Sequence, residues 1–264
     1  MTTRTRADKL LVERGLAPSR EKAQAMIMAG LVSSEGAVIL KPGALVGDEA
    51  GLVLRSPLPF VGRGGLKLAE ALDRFGLNVE GAAAVDIGAS TGGFTDCLLQ
   101  RGARRVYAVD VDTKQLDWGL RRDPRVVLIE KNARYLADGD IPETPDFVTM
   151  DVSFISVLKV LPALHRVRGN WILLTLIKPQ FEAGRREVGK SGVVRDPAVH
   201  TAVLERVADE GQMLGFMIQG IIRCSTTGQK GNVEFFARWI KDGMDGSRPL
   251  VVNWIKEAVR HENH

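Results

Sequence analysis

Cysteine is scarce: two residues, Cys97 and Cys224, in a chain of 264. Two thiols this far apart make neither a disulfide framework nor a metal cluster, and a reducing compartment fits. Histidine is scarce as well, with four residues and no grouped His/Cys spacing, so no metal site is expected. No apolar run approaches the ~18–20 residues of a membrane-spanning helix, and no strongly amphipathic repeat occurs, so no membrane partner is expected. The opening Met1-Thr2-Thr3-Arg4-Thr5-Arg6 is polar and lacks the apolar core of a secretory signal, which points to the cytoplasm. Internal repeats and low-complexity segments are missing too. What is present is a globular mixture: 45% apolar and 26% charged residues, enough apolar surface to bury a core and exclude disorder as the main state. The net charge of +4 is compatible with a polyanionic partner without proving one.

Residues 1–56 read as a small α+β module. Ala7, Leu10, Leu11 and Arg14 share helical spacing, and Gly15 stops that helix. Ser19 is placed to cap a second helix with Ala23, Met26 and Ile27 as its apolar stripe and Gly30 at its end. Short β-like runs follow over 31–33, 37–40, 44–46 and 52–54. Within the first 22 residues stand the basic groups Arg4, Arg6, Lys9, Arg14, Arg20 and Lys22 against three acids. Charges like these often form only a solvated helix face. Here Arg6-x-Asp8, Gly15, Ser19-Arg20-x-x-Ala23-x-x-x-Ile27-x-x-Gly30-x-Val32 and Gly36 together resemble the RNA-binding domain named after ribosomal protein S-four. The resemblance implies that a two-helix face docks on folded RNA, its six basic groups neutralising phosphates without reading sequence.

Ser56-Pro57-Leu58-Pro59 resists helix, and residues 57–64 read as a linker. A helix then carries Leu66, Leu68, Ala69, Leu72 and Phe75. From about residue 82, apolar runs over 82–87, 105–109, 126–129, 146–150 and 171–177 alternate with helical stretches around 93–101, 114–121, 155–167 and 197–214. Residues 216–223 and 232–239 read as a final strand pair, followed by an amphipathic stretch over 251–260. Such alternation predicts a parallel α/β sheet, Rossmann-like, with helices on both faces across 65–264.

The first strand of that sheet runs into Val85-Asp86-Ile87-Gly88-Ala89-Ser90-Thr91-Gly92-Gly93-Phe94. Glycines between a strand and a helix let the backbone turn tightly against a ligand. The spacing is G-x-x-x-G-G, not the G-x-G-x-x-G of dinucleotide sites. With Asp86 ahead of it, the run resembles motif I of class I S-adenosylmethionine methyltransferases, which implies cofactor contacts from Asp86, Gly88, Ser90, Gly92 and Gly93. Asp110 ends the second strand, where a carboxylate accepts hydrogen bonds from ribose hydroxyls or caps a helix. Asn132 follows the third strand, where methyltransferases of this class often contact adenine, although Asn is also common in loops.

Lys67, Asp151, Lys178 and Glu234 are four ionisable residues in telling local contexts. Asp151 and Lys178 directly follow strands, and strand C-termini face the ligand crevice of an open α/β sheet. Glu234 falls inside a predicted strand, where an unpaired carboxylate is costly. Each alone reads as an ion pair or surface charge. In the order Lys-Asp-Lys-Glu they resemble the tetrad of FtsJ-like RNA ribose 2′-O-methyltransferases. With Gly189-x-x-Gly192-Val193-Val194-x-Asp196-Pro197 and Gly231-Asn232-Val233-Glu234-Phe235-Phe236, nearly the whole chain is similar to the TlyA (hemolysin A-like) family.

That resemblance implies S-adenosylmethionine as cofactor and ribosomal RNA, within ribosomal subunits, as partner. The reaction implied is 2′-O-methylation of cytidine in 23S rRNA, and in 16S rRNA too because an N-terminal helix and a C-terminal extension are both present. A ribose hydroxyl is a weak acid, so the amines must ease its deprotonation. Lys178 is expected at that hydroxyl, with Lys67 as a second cation and Asp151 and Glu234 orienting the amines. Rival readings are a pore-forming cytolysin, a non-catalytic ribosome-assembly factor and a pseudouridine synthase. The first lacks a spanning segment in the sequence, and the Gly-rich loop and tetrad disfavour the others.

Overall fold

The computed structural model describes residues 4–28, 30–54, 59–184, 187–189, 191–242 and 248–260. The chain divides into two compact units, Met1–Leu58 and Pro59–His264.

The first unit runs β1 (Arg4–Arg6), α1 (Ala7–Glu13), α2 (Arg20–Met28), β2 (Val32–Ser34), β3 (Ala37–Val38), β4 (Leu45–Gly47) and β5 (Leu52–Leu54). The apolar stripes of its two helices meet, burying Ala7, Leu11, Ala17, Ala23, Ile27 and Val32. The Ser19 hydroxyl accepts the Lys22 N–H at 3.2 Å, capping α2. β2 lies between β3 and β5, while β1 pairs antiparallel with β4. β1 was not expected: a polar three-residue strand has no apolar period, and it exists because β4 hydrogen-bonds to it.

The second unit follows the alternation expected of it. In order come α3 (Arg63–Arg74), β6 (Ala83–Ile87), α4 (Gly93–Gln100), β7 (Arg105–Asp110), α5 (Trp118–Arg122), β8 (Val126–Glu130) and β9 (Phe147–Met150). Then follow α6 (Leu161–His165), β10 (Ile172–Ile177), α7 (Pro179–Glu182), α8 (Pro197–Met213), β11 (Phe216–Arg223), β12 (Phe235–Lys241) and α9 (Arg248–Val259). Its sheet has seven strands in the order β11-β12-β10-β9-β6-β7-β8. β12 runs antiparallel to both neighbours, and the other described pairings are parallel. Side chains alternate between two apolar layers. Val85, Ile87, Leu173 and Ile177 pack with α6, α8 and α9, whereas Ala84, Leu174 and Leu176 pack with α3 and α4.

Four elements differ from the sequence reading in their bounds. Of the linker expected over 57–64, Pro57 and Leu58 lie outside the described residues, and Arg63 and Gly64 already belong to α3. The helices expected at 114–121 and 155–167 are shorter. Leu116 is extended and the Asp117 carboxylate caps Gly119 N at 2.8 Å, so α5 starts only at Trp118. Pro162 cannot sit inside a helix and instead opens α6. The last strand starts at Phe235, not Asn232, so Glu234 precedes it. No helix among the described residues is long and apolar enough to cross a membrane.

Candidate active site

The chain passes from β6 outward to β7 and β8, then returns to β9 on the other side of β6. That reversal opens a crevice at the strand C-termini, and the glycine turn occupies it. Gly88 has φ +80°, and a Cβ there would lie 2.4 Å from the Asp151 carbonyl oxygen. Only a residue without a side chain lets the turn pass this close to the end of β9. Ser90 follows, also left-handed at φ 50°. The Asp110 carboxylate accepts the Ser90 N–H at 2.8 Å and the Asp112 N–H at 3.1 Å, fixing the turn to the end of β7. The nearby cap is made by Asp112, on Lys114 N.

These groups border a cleft of about 460 Å³, which Gly88, Ser90, Asp110, Asn132, Asp151 and Phe154 help to line. Asn132 stands in its wall, its side-chain oxygen accepting the Arg134 N–H at 3.0 Å. The structure moves Asp86 out of the expected contact set. Asp86 is fully buried beneath the turn and accepts the hydroxyls of Thr95 at 2.7 Å and Thr149 at 3.0 Å. Burial pushes its carboxyl up to about 6. Gly92 and Gly93 do not border the cleft either. A Cβ at Gly92 would meet Leu120 at 2.4 Å, and one at Gly93 would meet the Gly65 nitrogen at 3.1 Å, so both serve helix packing.

The four ionisable groups come together. Lys67, on α3, is buried, and its Nζ donates to Glu234 Oε2 at 2.6 Å. Lys178, at the end of β10, pairs with Asp151 at the end of β9 and donates to Ser153 Oγ at 3.0 Å. β12 explains the meeting: it is antiparallel, so Phe235 pairs with Ile177, and Glu234 arrives beside Lys178. Burial raises the Asp151 carboxyl; Lys178 and Lys67 oppose this and Glu234 adds to it, so the other three charges all act on Asp151. Among the described residues, no group of three or more His, Cys, Asp or Glu is arranged to hold a metal ion.

Sequence reasoning missed several neighbours. Phe154 is 90% exposed with φ 63°, and its ring stands 5.0 Å from that of Phe181. An aromatic four residues after a buried strand gave the only hint. Gln180 donates to Glu234 Oε1 at 3.4 Å. Glu182, buried, accepts Ser156 Oγ at 2.7 Å and Val157 N at 2.8 Å, tying α7 to the loop after β9.

In the first unit, the six basic residues divide. Arg6 binds both carboxylate oxygens of buried Asp8, at 3.0 and 2.9 Å, and Arg20 reaches the same carboxylate at 3.1 Å. These contacts hold the Asp8 carboxyl well below the usual range. Arg14 donates to the Ala50 carbonyl at 2.6 Å and to the Asp48 carbonyl. Arg6, Arg14 and Arg20 therefore organise the unit as well as presenting charge. Lys9 pairs loosely with Glu13 at 3.4 Å, and Arg4 and Lys22 are exposed.

Comparison with known proteins agrees with this arrangement. The FtsJ-like methyltransferase family matches residues 60–240, and the S4 domain matches residues 5–51. A Bacillus subtilis protein named as a candidate rRNA methyltransferase, YqxC, is 48% identical over 91% of this chain and 88% of its own. The Mycobacterium tuberculosis 16S/23S rRNA (cytidine-2′-O)-methyltransferase TlyA is 43% identical over 98% of this chain and 97% of its own. A solved structure described as a candidate hemolysin from Streptococcus thermophilus superposes with a TM-score of 0.74 at 42% identity, covering 98% of this chain and 96% of that one. The FtsJ-like methyltransferase match over residues 60–240, the S4 match ahead of it and the near-full-length similarity to TlyA place this chain in the TlyA family of FtsJ-like methyltransferases.

Proposed function

We propose that this protein uses S-adenosylmethionine to methylate the ribose 2′-oxygen of cytidine in ribosomal RNA, in 23S and also in 16S rRNA. The observation that carries the reading is the pairing of Lys178 with Asp151 and of Lys67 with Glu234 beside the glycine-turn cleft. The chain aligns along nearly the full length of a relative named for both RNAs, which supports two substrates. Such a role belongs in the cytoplasm, with ribosomal subunits as partners.

The cleft suits the cofactor. Its volume, about 460 Å³, falls in the usual range for small-molecule sites. Each Asp110 oxygen accepts one backbone N–H and keeps a lone pair for a ribose hydroxyl. Gly88 leaves bare backbone at the cleft wall. Asn132 faces the same space for an adenine edge. Asp86 acts one layer below, and with Gly92 and Gly93 it keeps the turn in place. When bound, S-adenosylmethionine supplies a methyl group already activated on a sulfonium.

The remaining work is alignment and charge. Lys178 has three N–H donors. Asp151 and Ser153 take two, and the third meets the 2′-oxygen and stabilises the negative charge that develops there. The hydroxyl proton passes to a carboxylate oxygen of Asp151 as the O–CH3 bond forms and the S–CH3 bond breaks, and Lys178 stays an ammonium. Lys67 is matched by Glu234, so this buried pair adds no net charge and serves as a fixed wall beside the reacting groups. Phe154 offers an exposed ring for a base. The S4 unit holds the RNA by its phosphates through Arg4, Arg6, Lys9, Arg14, Arg20 and Lys22.

Incubating unmodified ribosomal subunits with isotopically labelled S-adenosylmethionine, then mapping ribose methylation by mass spectrometry, tests this reading. Label on a cytidine 2′-oxygen of each subunit is expected. Label on bases only, or none, would refute it.

A further inference from the structure

The Lys67–Glu234 pair is covered by the turn joining β11 to β12. Gly228 stands in that turn directly against the glutamate. A Cβ there would lie 2.0 Å from Glu234 Oε1 and 2.5 Å from its Cδ. The Gly228 backbone is not left-handed, so glycine is required by the lack of room, not by its conformational freedom. The turn closes through Gly228 N to the Asn232 carbonyl at 2.8 Å and Cys224 N to the Glu234 carbonyl at 3.0 Å.

Its other end is fastened to α3. Glu70, one helical turn after Lys67, accepts the Ser225 N–H with both carboxylate oxygens, at 3.1 and 3.0 Å, and the Ser225 hydroxyl at 2.7 Å. Arg74, a further turn along, donates to the Arg223 carbonyl at 2.8 Å. One helix therefore presents the lysine and also clamps the turn that seats the lysine's partner. Charge-assisted contacts of this kind are among the stronger hydrogen bonds.

We propose that Gly228 and Glu70 are positioning residues for methyl transfer. The Glu70–Ser225 clasp seats the turn, and the empty space at Gly228 leaves the Glu234 carboxylate its place on Lys67. The proposal rests on the reading that this pair serves the reaction. Gly228, Glu70 and Ser225 lie outside the walls of the 460 Å³ cleft, so changing them addresses the acceptor side alone. A methyl at Gly228 pushes on the far end of a side chain. The displacement falls on the ion pair and on the Gln180 contact, not on the backbone.

The test compares the full-length wild type with Gly228→Ala, Glu70→Ala and Glu70→Gln. Single-turnover methyl transfer to unmodified subunits is measured across pH, beside cofactor affinity and urea stability. Gly228→Ala is expected to slow transfer on the order of 100-fold, the scale of an ångström-sized misplacement, and to shift the pH–rate profile while cofactor affinity stays within about twofold. Glu70→Ala is expected to lose about tenfold, and Glu70→Gln to recover most of it, because an amide can still accept Ser225 N–H and donate to its hydroxyl. A wild-type rate and pH profile in Gly228→Ala would overturn the proposal. So would equal losses in both Glu70 variants that follow only their stability. Absence of methyl transfer by the wild type would remove the functional reading and the proposal together; wild-type transfer with an unimpaired Gly228→Ala removes the proposal alone.

Discussion

Lys67 Nζ and Glu234 Oε2 are 2.6 Å apart although 167 residues separate them in the chain, and both side chains are almost wholly buried. Two features of the topology make this possible. α3 precedes the first strand of the large sheet, and β12 enters that sheet in the reverse direction, delivering Glu234 to the end where the parallel strands finish. Removing one partner leaves the other charge buried and unpaired. Lys67→Ala is expected to cost about 3 kcal/mol of stability in urea unfolding. A Lys67→Met/Glu234→Gln double variant should recover most of that stability while remaining inactive. Recovery of methyl transfer along with stability would show that the pair is only structural.

Phe154 carries a different expectation, because it is exposed and held in left-handed backbone. Little packing depends on it beyond the Phe181 ring. Phe154→Ala should change stability by less than about 1 kcal/mol. If the ring stacks on a base, KM for RNA rises about tenfold. An unchanged KM would remove Phe154 from the RNA path.

Asp86 gives a pH test. Its folded-state carboxyl is raised to about 6 by burial, against an ordinary value of 3.8. The folded protein then holds the proton more tightly than the unfolded chain, so this group lowers stability as pH climbs from about 4 to about 6, with the full penalty above that. Asp86→Asn removes the titration and can keep both threonine contacts. The stability of the variant relative to wild type should rise by about 2–3 kcal/mol from pH 4 to pH 7. A difference that stays flat over this range would contradict the assignment.

Asp8 works in the opposite sense. Arg6, with Arg20 and Gln24, keeps its carboxyl far below the ordinary range. Its contribution is complete above the unfolded value near 4 and disappears as pH falls toward the folded one. Asp8→Ala should destabilise the S4 unit by about 1–3 kcal/mol, discounted because both arginines are half-exposed. It should also weaken RNA binding, since Arg6 and Arg20 lose their anchor. Full RNA affinity in Asp8→Ala would mean that the anchor does not matter for docking.

The sheet was readable because its strands are largely apolar runs between turn residues, as at 83–87 and 172–177, broken there only by Asp86 and Thr175. Asp151 and Lys178 stood out as charges at the ends of such runs and Glu234 as a charge within one, each expensive without a partner, whereas Lys67 entered only through the resemblance of the Lys-Asp-Lys-Glu order. Contacts depending on which way a side chain turns were not readable. Asp86 stands just before the glycine turn yet points down to Thr95 and Thr149. Arg6 and Arg20 look like phosphate ligands in the sequence, but Asp8 engages both. Glu234 lies outside its strand, a boundary set by the turn that Gly228 and Ser225 build. No local pattern announces Glu70 or Glu182, whose partners come from distant segments.

Lys178 is the sharpest point of contact between this geometry and the chemistry. It pairs with Asp151 at the cleft margin without lining the cleft itself. The decisive measurement is S-adenosylmethionine affinity and methyl transfer to ribosomal subunits, determined side by side for wild type and Lys178→Ala. Near-native affinity with no detectable transfer is the predicted result. Retained transfer by Lys178→Ala, or loss of cofactor binding together with activity, would contradict the role given to this amine.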